Sequence, residues 1–433
     1  MSSRLSDRRI MLLMPATSYR ATDFLTAARR LNAEVIVASD HAPVLAEFTG
    51  DRCLRTGLTP SDENVARIVE HARRTRVNAV VGTDDGTVEL AARAAAALHL
   101  VHNSPAAVAT ARDKHAFRSA LAAADLPGPR FGLLEAQDDP TAVATGQTWP
   151  CVLKPLSLSA SRGVIRADNP DEFIAAAERI RALLGRIHGA GDSTPTMRIL
   201  VETFIPGTEV AVEGLLRNGR LHVLALFDKP DPLDGPFFEE TIYVTPSRLP
   251  EQRQQRIAAR IAEAAAAIGL TTGSIHAEAR LNASGIFVIE IAPRSIGGQC
   301  SRAVRLMGGI RLEEMILRDA LALPIDPAPS EGASGVMMIP IPEAGRLRDV
   351  RGVPDARAVP GVDDLVISIP IGDDLVPLPE GDRYLGFIFA SGDTPAAAET
   401  ALRTAHGRLE FDIEQVDAGS LGRARSVPFR FKN

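Results

Sequence analysis

The sequence predicts a multidomain protein of mixed α/β and α+β class, in which a parallel-sheet domain comes first. Its 433 residues exceed what one hydrophobic core usually serves, so roughly two to four domains are expected. Strand and helix patterns alternate through the first part of the chain, whereas hairpin patterns dominate later. A chain organised in this way is large enough to carry a binding cleft.

The first segment, residues 1–105, is predicted to form a Rossmann-like domain. Alternation of short apolar strands with helices of this length predicts a small parallel sheet covered on both faces. Met14-Pro15-Ala16-Thr17-Ser18 follows the first strand in place of a G-x-G-x-x-G fingerprint, so we interpret the domain as scaffold and not as a nicotinamide site. The predicted strands are Ile10–Met14, Val35–Ala38 and Ala79–Gly82, and the predicted helices are Thr22–Leu31, Glu63–Arg74 and Val88–Leu98.

Residues 106–150 are predicted to be a linker helix with the start of the next domain, and residues 151–205 a small lid subdomain. The lid contains a polar loop of small residues, which we expect to be mobile. The predicted elements are one helix over Ala106–Ala124, ended by Pro127-Gly128-Pro129, strands Cys151–Lys154 and Gly163–Ile165, helix Pro170–Leu184 and a loop over Gly185–Thr196.

Residues 206–333 are predicted to form a central domain, and residues 334–433 a closing subdomain. The dipeptide Asn218-Gly219 is the strongest short hairpin signal in this part of the chain. The predicted elements are strands within Arg198–Val244, helix Pro250–Ile268, a hairpin over Ser274–Ala292, and strands with helix Pro395–His406 near the end.

Composition excludes several classes of protein. Hydrophobic residues make up 45% of the chain and charged residues 24%, and no apolar run reaches the about 18 residues that a transmembrane helix needs. A net charge of -6, three tyrosines and one tryptophan offer little to a nucleic acid. The three cysteines are widely spaced and expected to be reduced and buried. No secretory signal is apparent, which predicts a cytoplasmic protein.

The clearest chemical signal is the pair Glu278 and Glu290 on the predicted hairpin. If Ala283, Ser284 and Gly285 form a three-residue loop, the two glutamates lie directly opposite each other. Carboxylates at that separation repel unless a cation such as Mg²⁺ lies between them. Two alternatives remain: a solvated strand face, or a different turn that places the glutamates on opposite faces.

Several other residues could hold a nucleotide or substrate. Lys154 ends an apolar strand and needs an anionic partner, although a lysine extending to the surface is the simpler interpretation. Arg294 lies near Glu290 in sequence and suits an oxyanion, with an ion pair as the alternative. The acidic segment Asp228–Glu240 could recognise a substrate amine or could be a solvated loop. Cys300 is expected to be a packed thiol, because no adjacent base is identifiable.

The order of these signals along the chain resembles the ATP-grasp superfamily over roughly residues 5–415. The resemblance implies a Rossmann-like domain followed by an ATP-grasp fold. It also implies ATP and Mg²⁺ as cofactors, with Mn²⁺ as an alternative, and places Mg²⁺ on Glu278 and Glu290. Contacts to ATP would come from Lys114, Lys154, Ser159, Ser161, Gly163, Glu202, Phe204, Ile205 and Glu209, with Lys154 and Arg294 in catalytic roles.

Within that superfamily the chain looks most like the bacilysin-type L-amino acid ligases. The motifs Gly235-Pro236-Phe237-Phe238-Glu239-Glu240 and Glu290-Ile291-Ala292-Pro293-Arg294 carry this likeness. Ala292 stands where many ATP-grasp enzymes have an asparagine ligand, which leaves the number of magnesium ions open. Ser295-Ile296-Gly297-Gly298 lacks the bulky aromatic of the bacilysin ligase, so the acceptor cannot be inferred. Substrate contacts are expected from Glu240, Tyr243, His276, Arg294 and Gly298.

The resemblance implies a carboxylate-amine ligase that forms an amide bond through an acyl phosphate and releases ADP and phosphate. Its partners would be small molecules, namely an amino acid or other carboxylate and an amine, with neither nucleic acid nor membrane. The oligomeric state is left open, with a homodimer among the alternatives. Two alternatives stay open. One is a biotin-carboxylase-like or purine-pathway ligase, using bicarbonate or a nucleotide-derived amine. The other is a nucleotide-binding sensor without turnover.

Overall fold

The computed structural model describes residues 8–41, 52–188, 195–325 and 331–415. Contacts between Cα atoms divide the chain into two compact units. The first contains residues 1–130, 205–230 and 244–334, and the second contains residues 131–204, 231–243 and 335–433. No helix in the described ranges combines the length and the apolar character that crossing a membrane requires.

The N-terminal part of the first unit contains the predicted parallel sheet. Its strand order is β3-β2-β1-β4, and every neighbouring pair is parallel. Residues Met11, Leu13, Ile36 and Val80 form the sheet side of a buried core packed against the helices. The elements are β1 (Arg9–Leu13), α1 (Ala21–Arg30), β2 (Glu34–Ser39), β3 (Cys53–Arg55), α2 (Asp62–Thr75), β4 (Ala79–Gly82) and α3 (Asp85–Ala97).

The single helix predicted over Ala106–Ala124 is wrong, because the chain forms two helices there. They are α4 (Pro105–Arg112) and α5 (Lys114–Ala123). Asp113 separates them: its backbone has extended ψ of 110°, and its carboxylate accepts hydrogen bonds from the N–H groups of His115 and Ala116. An aspartate in this position caps a new helix, since it satisfies amides that have no partner inside the helix. Lys114 is therefore the first residue of α5.

An antiparallel sheet forms the rest of the first unit. Four of its strands are neighbours in the order β13-β12-β9-β10. The Asn218-Gly219 turn joins β9 to β10, and both of its residues have positive φ as a tight hairpin requires. Helix α8 packs its apolar face on this sheet through Ile257 and Ile261. The elements are β9 (Thr208–Arg217), β10 (Arg220–Asp228), α8 (Glu251–Ala267), β12 (Gly273–Asn282), β13 (Gly285–Ala292) and α9 (Leu312–Ala320). Helix α9 was not predicted.

The lid in the second unit is a four-stranded sheet of order β5-β8-β6-β7, covered by helix α7. Helix α7 continues to His188, so the predicted loop over Gly185–Thr196 begins later, and its residues 189–194 lie outside the described ranges. The second lid strand begins at Ile165 and not at Gly163. The elements are β5 (Phe131–Leu134), α6 (Pro140–Ala144), β6 (Cys151–Pro155), β7 (Ile165–Ala167), α7 (Pro170–His188) and β8 (Ile199–Thr203).

The described residues 335–415 of the second unit fall within the range 334–433 that we predicted to be a closing subdomain, and we keep that name for them. The subdomain contains helix α11 at its predicted bounds, and a short helix, α10, that was not predicted. Strand β11 (Ile242–Thr245) precedes α8 in the chain. The later elements are β14 (Ala333–Ile339), β15 (Gly345–Arg351), α10 (Val353–Arg357), β16 (Val362–Ile367), β17 (Asp374–Leu375), β18 (Gly386–Gly392), α11 (Pro395–His406) and β19 (Glu410–Glu414). None of the three cysteines forms a disulfide; Cys151 and Cys300 are buried as predicted, whereas Cys53 is only half-buried.

Candidate active site

The hairpin formed by β12 and β13 places Glu278 directly opposite Glu290, which confirms that part of the prediction. The predicted loop is wrong, however. Asn282 pairs with Gly285, so the loop contains only Ala283 and Ser284. Two features permit this tighter turn: the Asn282 side chain accepts a hydrogen bond from the Ser284 N–H at 2.8 Å, and Gly285 takes a φ of 147° that favours glycine.

A β-bulge restores the opposition that the shorter loop would otherwise remove. Ala279 pairs with Val288, whereas the next pair is Glu278 with Glu290, so Ile289 is the extra residue. Without it, Glu278 would lie opposite residue 289, and Glu290 would occupy the other face. The bulge thus brings both carboxylates to one face, where opposed Cβ atoms lie about 4.5 to 5.5 Å apart.

The buried side chain of Arg118, on α5, contacts this bulge. Its guanidinium donates hydrogen bonds to the Val288 carbonyl at 2.8 Å and to the Ile289 carbonyl at 2.9 Å. Bulged residues lose regular ladder partners, and buried carbonyl groups without a partner are costly. We therefore infer that Arg118 stabilises the bulge and, with it, the position of Glu290.

The half-buried carboxylate of Glu290 makes no hydrogen bond and no ion pair with any described residue. Two opposed carboxylates of which one has no partner form an arrangement that a cation would relieve. Their oxygen atoms are the hard ligands that Mg²⁺ prefers. The residues present therefore fit a magnesium ion.

Lys229 bridges two predicted site residues. Its buried ammonium group lies 2.7 Å from Glu209 Oε1 and 3.0 Å from Glu278 Oε1. Arg280 donates to the other Glu209 oxygen at 2.8 Å and to the Ile205 carbonyl at 2.8 Å. The predicted ribose contact Glu209 and the predicted metal ligand Glu278 thus belong to one charge network, in which each of the two carboxylates has a cationic partner.

His276, predicted as a substrate contact, lies between two carboxylates. Its Nδ1 is 2.6 Å from Glu213 Oε1, and its Nε2 is 3.3 Å from Glu278 Oε1. Burial alone would lower the pKa of His276, but the hydrogen bonds to Glu213 and Glu278 outweigh it and raise the pKa to about 9. The imidazole is therefore charged at neutral pH, and its contact with Glu278 helps to orient that carboxylate.

Arg294 makes a two-point ion pair with Asp85. Its Nε lies 2.7 Å from Asp85 Oδ1, and its Nη2 lies 2.8 Å from Oδ2. Burial lowers the pKa of Arg294, but Asp85 and then Glu290 raise it, which leaves it above its usual value. The ion-pair interpretation of Arg294 therefore applies, although the pair is largely buried. Gly298 donates its N–H to the Tyr19 hydroxyl at 2.8 Å.

In the second unit, Lys154 finds its anionic partner in another predicted nucleotide residue. Its Nζ lies 2.6 Å from Glu202 Oε2; the Glu202 side chain is buried and that of Lys154 is half-buried. The pair arises because β6 and β8 are antiparallel neighbours, with Val152 opposite Glu202 and Lys154 opposite Leu200. Phe204 follows β8, and its ring contacts Phe238 and the guanidinium of Arg166.

The small-residue loop of the lid contains consecutive left-handed residues. Ala160 and Ser161 both have a φ of 55°, and Gly163 has a φ of 72°. The loop is also connected to the closing subdomain, because Gly163 donates its N–H to the Pro379 carbonyl at 2.8 Å and Arg162 donates to the Glu380 carbonyl at 2.7 Å. Its predicted mobility and the predicted phosphate contacts of Ser159, Ser161 and Gly163 stay predictions.

The acidic segment Asp228–Glu240 is mostly engaged in protein contacts. Asp228 accepts hydrogen bonds from Ser247 and from the Arg248 N–H, and Asp231 pairs with Arg403. Burial raises the pKa of Glu239 although the Ile341 N–H donates to it. The predicted substrate residues Glu240 and Tyr243 are half-buried and fully buried respectively. Most of the segment is therefore structural, and the predicted contact of Glu240 with a substrate amine stays a prediction.

The sequence-based prediction missed several functional candidates. Lys229 was considered only as part of an acidic segment, although a lysine among acids that follows an apolar strand could have been noticed. Glu213 could also have been noticed, because it lies four residues after Glu209 in the same predicted strand and therefore on the same face of the sheet. Arg118 and Asp85 left no detectable signal, because an isolated arginine or aspartate on a helix is ordinary. Their roles depend on contacts with residues far away in the chain.

Comparison with protein families gives two matches. Residues 147–303 match the ATP-grasp domain, and residues 337–414 match the L-amino acid ligase C-terminal domain 2. The first match contains three of the four lid strands, β6, β7 and β8, and both glutamates of the hairpin. The second lies within the closing subdomain.

Individual proteins agree with these family matches. Protein y4rH of Sinorhizobium fredii (strain NBRC 101917 / NGR234) is 24% identical over 412 residues, covering 94% of this chain and 83% of that protein. The alanine–anticapsin ligase of Bacillus amyloliquefaciens is 24% identical over 273 residues, covering 60% of this chain and 57% of the ligase. The match therefore spans somewhat more than half the length of that ligase.

Among solved structures, the L-amino acid ligase from Bacillus licheniformis has a TM-score of 0.77 and 23% sequence identity, over 94% of this chain and 99% of that one. This likeness shows the fold. The two family matches show that the chain contains an ATP-grasp domain followed by an L-amino acid ligase C-terminal domain.

Proposed function

We propose that this ligase joins the carboxylate of an amino acid to an amine, through an acyl phosphate formed at the expense of ATP. The observation that carries the proposal is the pair Glu278 and Glu290, opposed on one hairpin face with Arg294 nearby. An arrangement of two carboxylates and an arginine suits a phosphoryl group and its counterion.

We propose that Lys154 and Glu202 contact ATP from the lid. The ion pair between them supports the proposal, because it holds the half-buried Lys154 charge at the end of β6 before any phosphate arrives. The N–H groups of the small-residue loop, from Ser159 to Gly163, would cover the phosphates. Lys114 is a further proposed phosphate contact. Phe204, Ile205 and Glu209 would hold the adenosine.

Glu278 and Glu290 would hold Mg²⁺, which neutralises phosphate charge during transfer when it is bound. Lys229 and His276 support this assignment because both contact Glu278 and fix its orientation. Metal ligands are commonly oriented by hydrogen bonds of this kind. Glu290 has the opposite character, since no described residue constrains its carboxylate.

The chemistry requires no nucleophilic side chain. A substrate carboxylate oxygen attacks the γ-phosphorus of ATP, and ADP leaves. Arg294 and Lys154 stabilise negative charge on the transferred phosphoryl group. An amine nitrogen then attacks the carbonyl carbon of the acyl phosphate, and the same cations stabilise the oxyanion until phosphate departs with its bonding electrons. Closure of the small-residue loop would keep water from hydrolysing the acyl phosphate.

The proposed substrate class rests on the family members. The alanine–anticapsin ligase and the L-amino acid ligase are named for amino acid substrates. Each α-amino acid carries an ammonium group, which needs an acid separate from the cationic phosphate site. We propose Glu240 for this role. Tyr243, His276 and Gly298 are further proposed substrate contacts.

The test is a screen of phosphate release over pairs of amino acids, with mass detection of the product. We expect release of one phosphate for each amide formed, and little release without a second amino acid. Turnover that depends on bicarbonate or on a nucleotide-derived amine would replace this proposal with another ligase reaction. ATP binding without ADP formation over hours would indicate a nucleotide sensor.

A further inference from the structure

The carboxyl edge of the N-terminal parallel sheet contacts the segment that contains Arg294. From β1 the chain continues to β2 and β3 on one side of β1, and then crosses to β4 on the other side. The direction of strand order therefore reverses between β1 and β4. Open parallel sheets commonly bind ligands outside the strand ends at this switch point. Tyr19 and Arg20 follow β1, and Asp85 follows β4.

These loops hold residues 294–298 by several hydrogen bonds. The buried Arg20 donates to Ser295 Oγ at 2.6 Å and to the Ile296 carbonyl at 2.8 Å. Tyr19 accepts from the Gly298 N–H. The residues that follow the hairpin are thus fixed to the switch point of another sheet, at sequence separations of more than two hundred residues.

Asp85 supplies the contact to the guanidinium itself. The two oxygens of Asp85 occupy one edge of Arg294, and Arg294 Nη1 donates to the Ser295 carbonyl at 2.9 Å. A guanidinium carries five N–H groups, so these three hydrogen bonds leave two that the described residues do not use. The side chain of Arg294 is 13% exposed, and that of Asp85 is 35% exposed. An arginine held at two points in a largely buried place has little freedom to rotate.

The charges around the pair are consistent with this arrangement. Burial raises the pKa of Asp85, but Arg294 and Arg20 lower it more, so the carboxyl is ionised at neutral pH. Glu290 raises the pKa of Arg294 and is therefore close enough to interact with the same guanidinium electrostatically. Arg294 thus lies near one predicted metal ligand, while its other edge is occupied by Asp85.

We propose that Asp85 is a positioning residue of the ligation reaction, which fixes the Arg294 guanidinium so that its two remaining N–H groups meet the transferred phosphoryl group and the carboxylate that attacks it. This inference rests on the proposed function, which gives Arg294 that role. Hydrogen-bond donors that are fixed before charge develops need no reorganisation during the reaction. Their loss therefore lowers kcat more than it weakens substrate binding. The N-terminal domain would then contribute to catalysis without contacting the nucleotide.

The experiment compares Asp85→Asn, Asp85→Glu, Arg294→Lys and the double variant Asp85→Asn/Arg294→Lys in the full chain. For Asp85→Asn we expect kcat to fall about 10- to 100-fold while the KM for ATP changes less than about threefold. Asp85→Glu retains the charge and should recover part of kcat. In the double variant, Asp85→Asn should cost less than about threefold beyond Arg294→Lys, because lysine cannot use both oxygens. Asp62→Asn, at the start of α2, removes an exposed ion pair with Arg93 of α3; it is the matched control and should leave kcat unchanged.

Two results would overturn the inference. In the first, Asp85→Asn keeps the wild-type kcat while Arg294→Lys loses it. In the second, kcat, ATP affinity and melting temperature fall together in Asp85→Asn and do not recover in Asp85→Glu, which is the pattern of a purely structural ion pair. If Asp85→Asn does not fold, the split between kcat and KM in Asp85→Glu decides the matter. Failure of the proposed function is separate, since the wild-type chain would then form no ADP with any pair of amino acids.

Discussion

At the scale of single residues, Glu278 and Glu290 differ although they face each other. Glu278 has two cationic neighbours, Lys229 and His276, whereas no described residue pairs with Glu290. Glu290 interacts with the Arg294 guanidinium only at longer range, without an ion-pair contact, so its repulsion with Glu278 persists until a cation binds between them. The two substitutions to glutamine should therefore affect stability in opposite directions.

For Glu290→Gln we expect loss of magnesium-dependent ATP turnover by about 10- to 100-fold or more, with an unchanged or higher melting temperature in the absence of metal. The gain in stability comes from removal of the repulsion with Glu278. Glu278→Gln should also lose turnover but should be less stable by about 1 to 3 kcal/mol, because Lys229 loses one of two buried anionic partners. ADP formation and thermal melting with and without Mg²⁺ measure both effects. Glu410→Gln, in an exposed pair with Arg351, is the control. Near wild-type turnover in both variants would contradict the metal assignment.

The raised pKa of His276 makes stability depend on pH. Its pKa is about 9 in the folded chain against an ordinary value of 6.5, so the folded state binds the proton more tightly. This contribution is fully present below pH 6.5 and is lost as the pH rises through about 9. A difference of this size corresponds to a free energy of about 3 kcal/mol.

We therefore expect wild type to lose stability between pH 6.5 and 9 relative to His276→Gln, which cannot titrate in this range. Chemical denaturation of both proteins at several pH values gives the difference directly. Other titrating groups are shared by the two proteins and cancel. Parallel stability profiles for wild type and variant would show that His276 is not held as a cation.

At the scale of secondary-structure elements, the bulge in β13 decides where Glu290 points. Its carbonyl groups accept from Arg118, on a helix that begins at a capping aspartate. The same capping aspartate makes Lys114 the first residue of α5. The break between α4 and α5 therefore has consequences for both the bulge and a predicted phosphate contact.

We expect Arg118→Leu to destabilise the hairpin, because two buried carbonyl groups lose their donor at a cost of about 1 to 3 kcal/mol each. ATP turnover should need more Mg²⁺ than in wild type, since Glu290 is no longer held on the face of Glu278. The matched control is Arg112→Leu on α4, which removes a more exposed ion pair with Glu89 of α3. Titration of activity with Mg²⁺, together with thermal melting, tests the idea. An unchanged magnesium requirement with lower stability would limit Arg118 to a structural role.

At the scale of the whole molecule, each compact unit contains part of the proposed machinery. The hairpin glutamates and Arg294 belong to the first unit, whereas Lys154, the small-residue loop and Glu240 belong to the second. The segment containing Glu240 is joined to the closing subdomain through the ion pair of Asp231 with Arg403. The L-amino acid ligase domain thus supports the segment that we propose recognises the substrate.

Substitution Glu240→Ala should weaken use of the amino acid by about 10- to 100-fold, because a charge-assisted hydrogen bond to its ammonium group contributes about 1.5 to 3 kcal/mol. ATP affinity should barely change. The assay measures ADP formation with the amino acid and with its des-amino analogue. Asp234→Asn, an exposed acid of the same segment, should behave as wild type. Equal use of the des-amino analogue by wild type would refute this substrate assignment, as would loss of ATP binding in Glu240→Ala.

The sequence by itself determined the local elements and the order of the chemical motifs. Alternating strands and helices gave the parallel sheet, Asn218-Gly219 gave a hairpin, and the spacing of Glu278 and Glu290 indicated a shared face. These properties depend on periodicity and turn chemistry, which act over a few residues.

Only the tertiary structure decided which charges meet. The partners of Lys229, Arg118 and Arg294 are Glu278, the bulge carbonyls and Asp85, and each lies tens to hundreds of residues away in the chain. The actual loop and bulge also replaced the predicted three-residue turn while giving the same pairing of the two glutamates. Local patterns cannot distinguish these outcomes, because burial and long-range contacts set the energy of each buried charge.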